Sequence, residues 1–224
     1  MRRLIWIFAL AFAVNASGGQ GVEPVSGRRI APVMSAAGAD WLERPERAVE
    51  EQPGKALDAL NLKPGMTIAD IGAGTGYMTL RIARRVAPSG RVYGVDIQPE
   101  MLRRLEANAA RAGLTDIQPV LGDAKNPKLP DNAIDLALMV DVYHELAEPQ
   151  AMLRALRVAL KPEGRLVLLE YRKEDPTIPI RPDHEMTVAE AKLEVEAEGY
   201  RLSRVVETLP RQHILIFTKR EPRP

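Results

Sequence analysis

From residue 66 onward, short runs dense in apolar and β-branched residues alternate with stretches whose apolar positions recur every three or four residues. Met66–Ile71, Arg91–Asp96, Ile117–Leu121, Ile134–Val140 and Arg165–Glu170 are runs of the first kind and predict strands. Ile134–Val140 is almost wholly apolar, as a strand covered on both faces should be. The intervening stretches predict helices over Tyr77–Val86, Pro99–Ala112 and His144–Leu160. Pro99 stands at a helix start and Gly113 just past a helix end, where each residue's backbone preference fits. Pro88-Ser89-Gly90 and Lys161-Pro162-Glu163-Gly164 close the other two. Thr187, with Glu190 three residues on, forms a capping box for a helix reaching Glu198. Tyr200–Thr208 and Gln212–Lys219 predict a closing strand pair around Pro210. Strands that alternate with helices in this way specify an α/β fold built on a parallel sheet, with its chemistry at the C-terminal strand ends.

The N-terminal part has a different texture. Arg2 and Arg3 precede an apolar run, Leu4–Val14, which ends in Ala16, Ser17, Gly18 and Gly19. That order describes an export signal over residues 1–18 and predicts a periplasmic or secreted protein; a leader that does not function would leave it cytoplasmic. The run is well short of the ~20 residues that cross a bilayer, so no stable membrane span is expected. Residues 19–40, rich in Gly, Pro, Ala and Ser, predict a linker or loosely ordered arm. Trp41–Leu60 then predicts one or two short helices broken at Pro53-Gly54. Residues 41–224 form the predicted folded domain.

Composition narrows the chemistry. Lys and Arg number 31 against 30 Asp and Glu, a net charge of +1, which argues against a nucleic-acid partner. There is no cysteine, so disulfides, thiolate catalysis and Cys-ligated metals are excluded. The three histidines, His144, His184 and His213, lie far apart in sequence, and no metal site is expected of them. The pattern specifies no oligomeric state.

The strongest local signal is Asp70-Ile71-Gly72-Ala73-Gly74-Thr75-Gly76, directly after a predicted strand. Glycines let the backbone turn sharply and approach a ligand, and the helix that follows presents free N–H groups. A dinucleotide fingerprint needs glycine at positions one, three and six; here position six is Tyr77 and Gly76 is at five. Asp70 would repel a pyrophosphate but would match a ligand that carries an ammonium group.

On these residues the chain, from about Trp41 to Lys219, resembles the class I S-adenosylmethionine-dependent methyltransferases, and most of all the menaquinone- and ubiquinone-biosynthesis type that acts on small molecules. The resemblance implies a Rossmann-like fold: a mainly parallel seven-stranded sheet with helices on both faces and an antiparallel final strand. It also implies a methyl transfer from S-adenosylmethionine by in-line displacement. Asp70, Gly72, Gly74 and Gly76 would hold the methionine end of the cofactor. Asp96, in Gly94-Val95-Asp96-Ile97, would accept the ribose hydroxyls. Asp123 and Ala124, after the third strand, would meet the adenine, although Asp123 also suits a plain turn. Asp141, ending the fourth strand, would lie beside the transferable methyl, whereas Asp135 starts that strand and is read as structural. The helix bearing Trp41, Arg44 and Arg47 would form a lid. Arsenite methyltransferases share this core but need the cysteines that are missing here.

On the acceptor side the candidates are Tyr143, His144 and Glu145 after the fourth strand, and Glu170, Tyr171 and Arg172 after the fifth. His144 is the candidate base, because imidazole titrates near neutrality, or else a first-turn residue of its helix. Tyr143 is the second catalytic candidate. Tyr143 and Tyr171 could wall a flat acceptor or be rim packing. His184 sits in an insertion placed to close over the acceptor, and His213 is read as structural. Two other functions fit the same motifs: a protein methyltransferase akin to the isoaspartate-repair enzymes, and a module that binds the cofactor without turnover.

Overall fold

The computed structural model describes residues 21–220, and the export signal expected over 1–18 lies outside them. The chain opens with short helices α1 (Ala39–Leu42), α2 (Arg47–Glu50) and α3 (Pro53–Leu60). The core then runs β1 (Thr67–Ile71), α4 (Thr79–Val86), β2 (Arg91–Asp96), α5 (Pro99–Arg111), β3 (Ile117–Leu121) and β4 (Ile134–Val140). After a 3-10 turn at Tyr143–Glu145 come α6 (Pro149–Ala159), β5 (Leu160–Arg172), the two-residue β6 (Glu185–Met186), α7 (Val188–Ala197), β7 (Tyr200–Val206) and β8 (Gln212–Lys219).

The strands form one sheet in the order β3-β2-β1-β4-β5-β8-β7, with β6 on the side of β5. Neighbours from β3 through to β5 are parallel; β8 runs antiparallel to both β5 and β7. This is the expected Rossmann-like sheet with an antiparallel last strand, enlarged to eight strands by β6. Period-2 alternation builds a core on each face. Ala137 and Met139 of β4 join Met152, Leu153 and Leu156 of α6 and Val195 of α7 on one side. Leu136 and Leu138 join Leu57 and Leu60 of α3 and Ile82 and Val86 of α4 on the other. The capping box at Thr187 and Glu190 is present, with Glu190 N donating to Thr187 Oγ1 at 3.0 Å.

Three local expectations fail, each for a physical reason. The helix expected from His144 does not begin there: α6 starts at Pro149, preceded by Glu148 in non-helical backbone. Proline disfavours helical geometry in the residue before it while suiting the first helical position itself, so the break was written in Pro149. The turn expected at Lys161–Gly164 is instead a bulge inside one long strand, where the register with β4 slips between Ile134 and Leu136.

The third failure is the loose arm, because residues 21–40 are docked. Val22 bridges Arg29 across a turn, and Glu23 Oε2 accepts from Val25 N at 2.8 Å and Ser26 N at 2.6 Å. Arg28 reaches α7, donating from Nε to Glu194 Oε1 at 2.8 Å and from Nη2 to Glu194 Oε2 at 3.1 Å. Both side chains of that pair are buried. A composition without apolar periodicity gave no hint of this. The order comes from an ion pair, and its low-dielectric setting makes an unpartnered member costly.

Candidate functional site

β1, β2 and β4 end together above the sheet, so the loops that leave them surround one cavity of about 230 Å3. Its floor is the loop after β1. Gly72 N and Ala73 N both donate to Val95 O, at 2.8 and 2.9 Å, which folds the loop back over β2. Gly72 has φ +72°, and a Cβ there would lie 2.4 Å from a Val142 methyl; only glycine fits. Gly76 has a different task. It is absent from the cavity wall, and a Cβ would strike Leu80 and Leu105, so it lets α4 and α5 pack against the loop.

Asp70, Gly72, Gly74, Asp96, Ile97, Asp123, Ala124 and Asp141 all line the cavity. Asp96 Oδ2 accepts from Gly74 N at 2.9 Å and Oδ1 from Gln98 N at 2.9 Å, so this carboxylate joins the loop to the next strand end. Asp70 is buried and accepts the Thr79 hydroxyl at 2.5 Å; burial pushes its carboxyl up to about 6. Asp123 is exposed at the rim, where its Oδ1 accepts from Lys125 N and Asn126 N, both at 2.9 Å. It therefore closes a turn as well as bordering the cavity. Asp141 takes the left-handed φ of +53° and accepts Gln212 Nε2 on both oxygens, at 2.9 and 2.8 Å. Burial first, then the Glu51 and Glu170 carboxylates, raise its carboxyl well above the ordinary range.

The far end holds the acceptor-side candidates. Their backbone is the 3-10 turn at Tyr143–Glu145, which is tied to the docked arm: His144 O accepts from Ala31 N and from Arg28 Nη1, both at 3.0 Å. The turn sends its side chains in opposite directions. Tyr143 points into the core under Arg28 and does not line the cavity, so the wall and catalytic readings of Tyr143 are corrected to packing. His144 and Glu145 face the cavity. The fully buried Glu170 accepts Tyr143 N at 2.9 Å and bonds His144 Nδ1 at 2.6 Å. His144 Nε2 lies 3.0 Å from Nδ1 of His184, which arrives from the segment before β6. Two histidines 40 residues apart in sequence thus meet at one spot, a proximity that their spacing along the chain did not indicate. Burial works against a charged His144, but Glu170 outweighs it and holds the imidazole above its usual value. Burial and the neighbouring His144 depress His184 to about 4. Burial raises Glu145 to about 7. His213 is remote from the cavity and bonds Glu207 at 2.6 Å and Glu174 at 2.8 Å, as a structural residue would.

Glu51 had no sequence signal of its own, and Arg44 and Arg47 were expected only as part of a lid. Arg44, Arg47 and Glu51 form a linked set over the cavity: Arg47 Nε donates to Glu51 Oε2 at 2.6 Å, and Tyr171 Oη donates to Glu51 Oε1 at 3.3 Å. Thr75 Oγ1 and Tyr77 Oη are buried, belong to cavity-lining residues and have no partner. Buried polar atoms in folded proteins are normally paired, so two orphans beside a glycine loop suit a polar ligand. Asp96 repels the Asp70 carboxylate, and Glu51 and Glu170 repel that of Asp141, so a ligand bearing a sulfonium and an ammonium would relieve repulsion in this cavity. The residues present therefore fit S-adenosylmethionine.

Comparison with known proteins agrees. A family model described as a methyltransferase domain matches residues 62–212. The chain is 31% identical over 143 residues to nocamycin O-methyltransferase of Saccharothrix syringae, covering 62% of this chain and 48% of that protein. It is 33% identical over 113 residues to the ubiquinone/menaquinone biosynthesis C-methyltransferase UbiE of Burkholderia cenocepacia, covering 50% of this chain and 46% of that one. The chain thus spans less than half the length of these curated relatives. A crystal structure of a SAM-dependent methyltransferase from Aquifex aeolicus superposes with a TM-score of 0.78 at 29% identity, over 83% of this chain and 98% of that one. With its sheet order, its glycine loop and this match over two-thirds of its length, the chain belongs to the class I S-adenosylmethionine-dependent methyltransferase family.

Proposed function

We propose that this protein transfers a methyl group from S-adenosylmethionine to a small-molecule acceptor. One observation carries the reading: a single cavity has the glycine loop and Asp96 at one end and His144, Glu145 and His184 at the other. Bound there, S-adenosylmethionine supplies an electrophilic methyl on a good leaving group. Asp96 is offered to the ribose hydroxyls, Ile97, Asp123 and Ala124 to the adenine, and Asp70 with the loop N–H groups to the methionine end. The chain's remaining task is to hold the acceptor's reacting atom in line and keep water out, which can be worth ~7–11 kcal/mol of a barrier. An acceptor that must lose a proton does so at the end of the cavity lined by His144, Glu145 and His184. Trp41, Leu42 and Arg44 overhang the cavity as a lid. A cavity of about 230 Å3 suits a small acceptor better than a protein chain. The apolar start over residues 1–18 supports export, which N-terminal sequencing of the mature protein would check.

Calorimetry with S-adenosylhomocysteine tests the cofactor half. Asp96→Ala removes an acceptor for two hydroxyls and should weaken binding by ~1.5–3 kcal/mol, the range of charge-assisted hydrogen bonds. Undiminished affinity in the folded variant would remove Asp96 from the site. Incubation with methyl-labelled cofactor and cell extract tests the acceptor half. Label in the small-molecule fraction is expected; label confined to protein would favour a protein substrate.

A further inference from the structure

We infer that His144, Glu145 and His184 form a binding site for a divalent transition-metal ion of the zinc type, at the acceptor end of the cavity. Three ligand atoms converge: His144 Nε2, His184 Nδ1 and Glu145 Oε1. Their separations are 3.0 Å between the two nitrogens, 3.6 Å from Oε1 to His184 and 3.9 Å from Oε1 to His144. Ligands ~2.0–2.1 Å from one four-coordinate ion stand roughly 3.3–3.4 Å apart. The triangle has the size that one ion needs.

The surroundings are built the way metal sites are. A ligating imidazole usually gives its second N–H to a carboxylate, which sets the tautomer and strengthens the ligand. Glu170 does this for His144 at 2.6 Å, and its other oxygen is occupied by Tyr143 N, so the carboxylate is held from both sides. His144 and Glu145 are neighbours on one 3-10 turn, and that turn is clamped by Arg28 and Ala31 from the docked arm. His184 comes from a second 3-10 turn, Pro182–His184. Two imidazoles and one carboxylate are the donors of a borderline ion, since calcium and magnesium prefer all-oxygen cages. Three protein ligands and a free position facing a cavity describe a site that takes substrate on its metal.

This deepens the proposed methyl transfer and rests on it only for its catalytic consequence. The acceptor class it points to is a small molecule with an ionisable hydroxyl able to fill the free position. The ion makes that hydroxyl more acidic, and its proton leaves to water. The oxygen's lone pair then forms the C–O bond as the C–S bond breaks, and the C–S electron pair stays on sulfur.

The test uses the full chain, stripped with a chelator, dialysed and titrated with Zn2+ by calorimetry. One ion per chain is expected, with Mg2+ giving no comparable heat. Glu145→Gln keeps the shape of the side chain and His184→Ala alters a part-exposed one, so both should fold; each should weaken Zn2+ binding at least ~10-fold. Glu170→Gln should weaken it ~10–100-fold without touching the ion. S-adenosylhomocysteine affinity in Glu145→Gln and His184→Ala should match that of the parent. Absence of Zn2+ binding in a parent protein that still binds S-adenosylhomocysteine would overturn the site and leave a hydrogen-bonded histidine pair. Undiminished Zn2+ binding in His184→Ala would overturn it too. A protein that binds Zn2+ at this site but no S-adenosylhomocysteine would keep the metal site and sink the methyl-transfer reading.

Discussion

Asp70 shows how a binding residue can weigh on the fold that carries it. Burial raises its carboxyl from 3.8 to about 6, so the folded state resists ionising it more than the unfolded chain does. The penalty is absent in acid, grows as pH rises from about 4 through about 6, and is complete at neutrality. Asp70→Asn should therefore stabilise the ligand-free protein at pH 7 by on the order of 1–3 kcal/mol, and hardly at all at pH 3. Urea unfolding at the two pH values checks this; a variant less stable at pH 7 would contradict it. The same variant should bind S-adenosylmethionine more weakly, because the ammonium loses its counter-charge. At the other end of the cavity, His144→Ala should lower turnover of the identified acceptor ~10²–10⁴-fold. Its affinity for S-adenosylhomocysteine should hardly change, since His144 sits beyond Asp141 on the acceptor side. Weakened cofactor binding in that variant would mean that His144 belongs to the cofactor subsite.

Among the elements, the arm over residues 21–31 decides how well the acceptor end is held. Arg28 neutralises the buried Glu194 on α7 and also donates to His144 O on the 3-10 turn. Arg28→Met removes one partner of a buried ion pair, and such changes cost ~3–5 kcal/mol because the other charge is left uncompensated. The urea midpoint should fall accordingly, and turnover should fall beyond what the lost stability explains. A midpoint within experimental error of the parent would show the pair to be dispensable. None of this was legible in the chain, since Arg28 and Glu194 are 166 residues apart and nothing in the composition around Arg28 marks it. The strands and the helices α4, α5 and α7 were legible, because period-2 and period-3.6 apolar patterns are local. The helix expected from His144 was misread although its signal, Pro149, was present. The periodicity of the following residues outweighed a proline that in fact sets the helix start.

Over the whole molecule, two truncations separate leader from fold. A chain beginning at Gly19 should melt at the temperature of the full-length protein, since residues 21–220 make their own contacts. A chain beginning at Asp40 should melt well below it, because losing the arm exposes Glu194 and uncovers Tyr143. Differential scanning calorimetry of both distinguishes the cases, and equal melting of the two shortened chains would show that the arm adds no stability. Among the described residues no helix is long and apolar enough to cross a membrane.

What the sequence by itself determined is whatever depends on neighbours along the chain. Alternating apolar periods set the α/β order, glycine at 72 set a turn no other residue can make, and Asp96 at a strand end set one cavity wall. Tertiary structure decided the remainder. It turned Tyr143 into the core and His144 into the cavity, although they are adjacent. It brought Glu170 and His184 to opposite nitrogens of one imidazole, and it docked an arm that looked like a linker. These outcomes depend on side-chain direction and on pairing between residues 26 to 168 positions apart, which local periodicity does not encode.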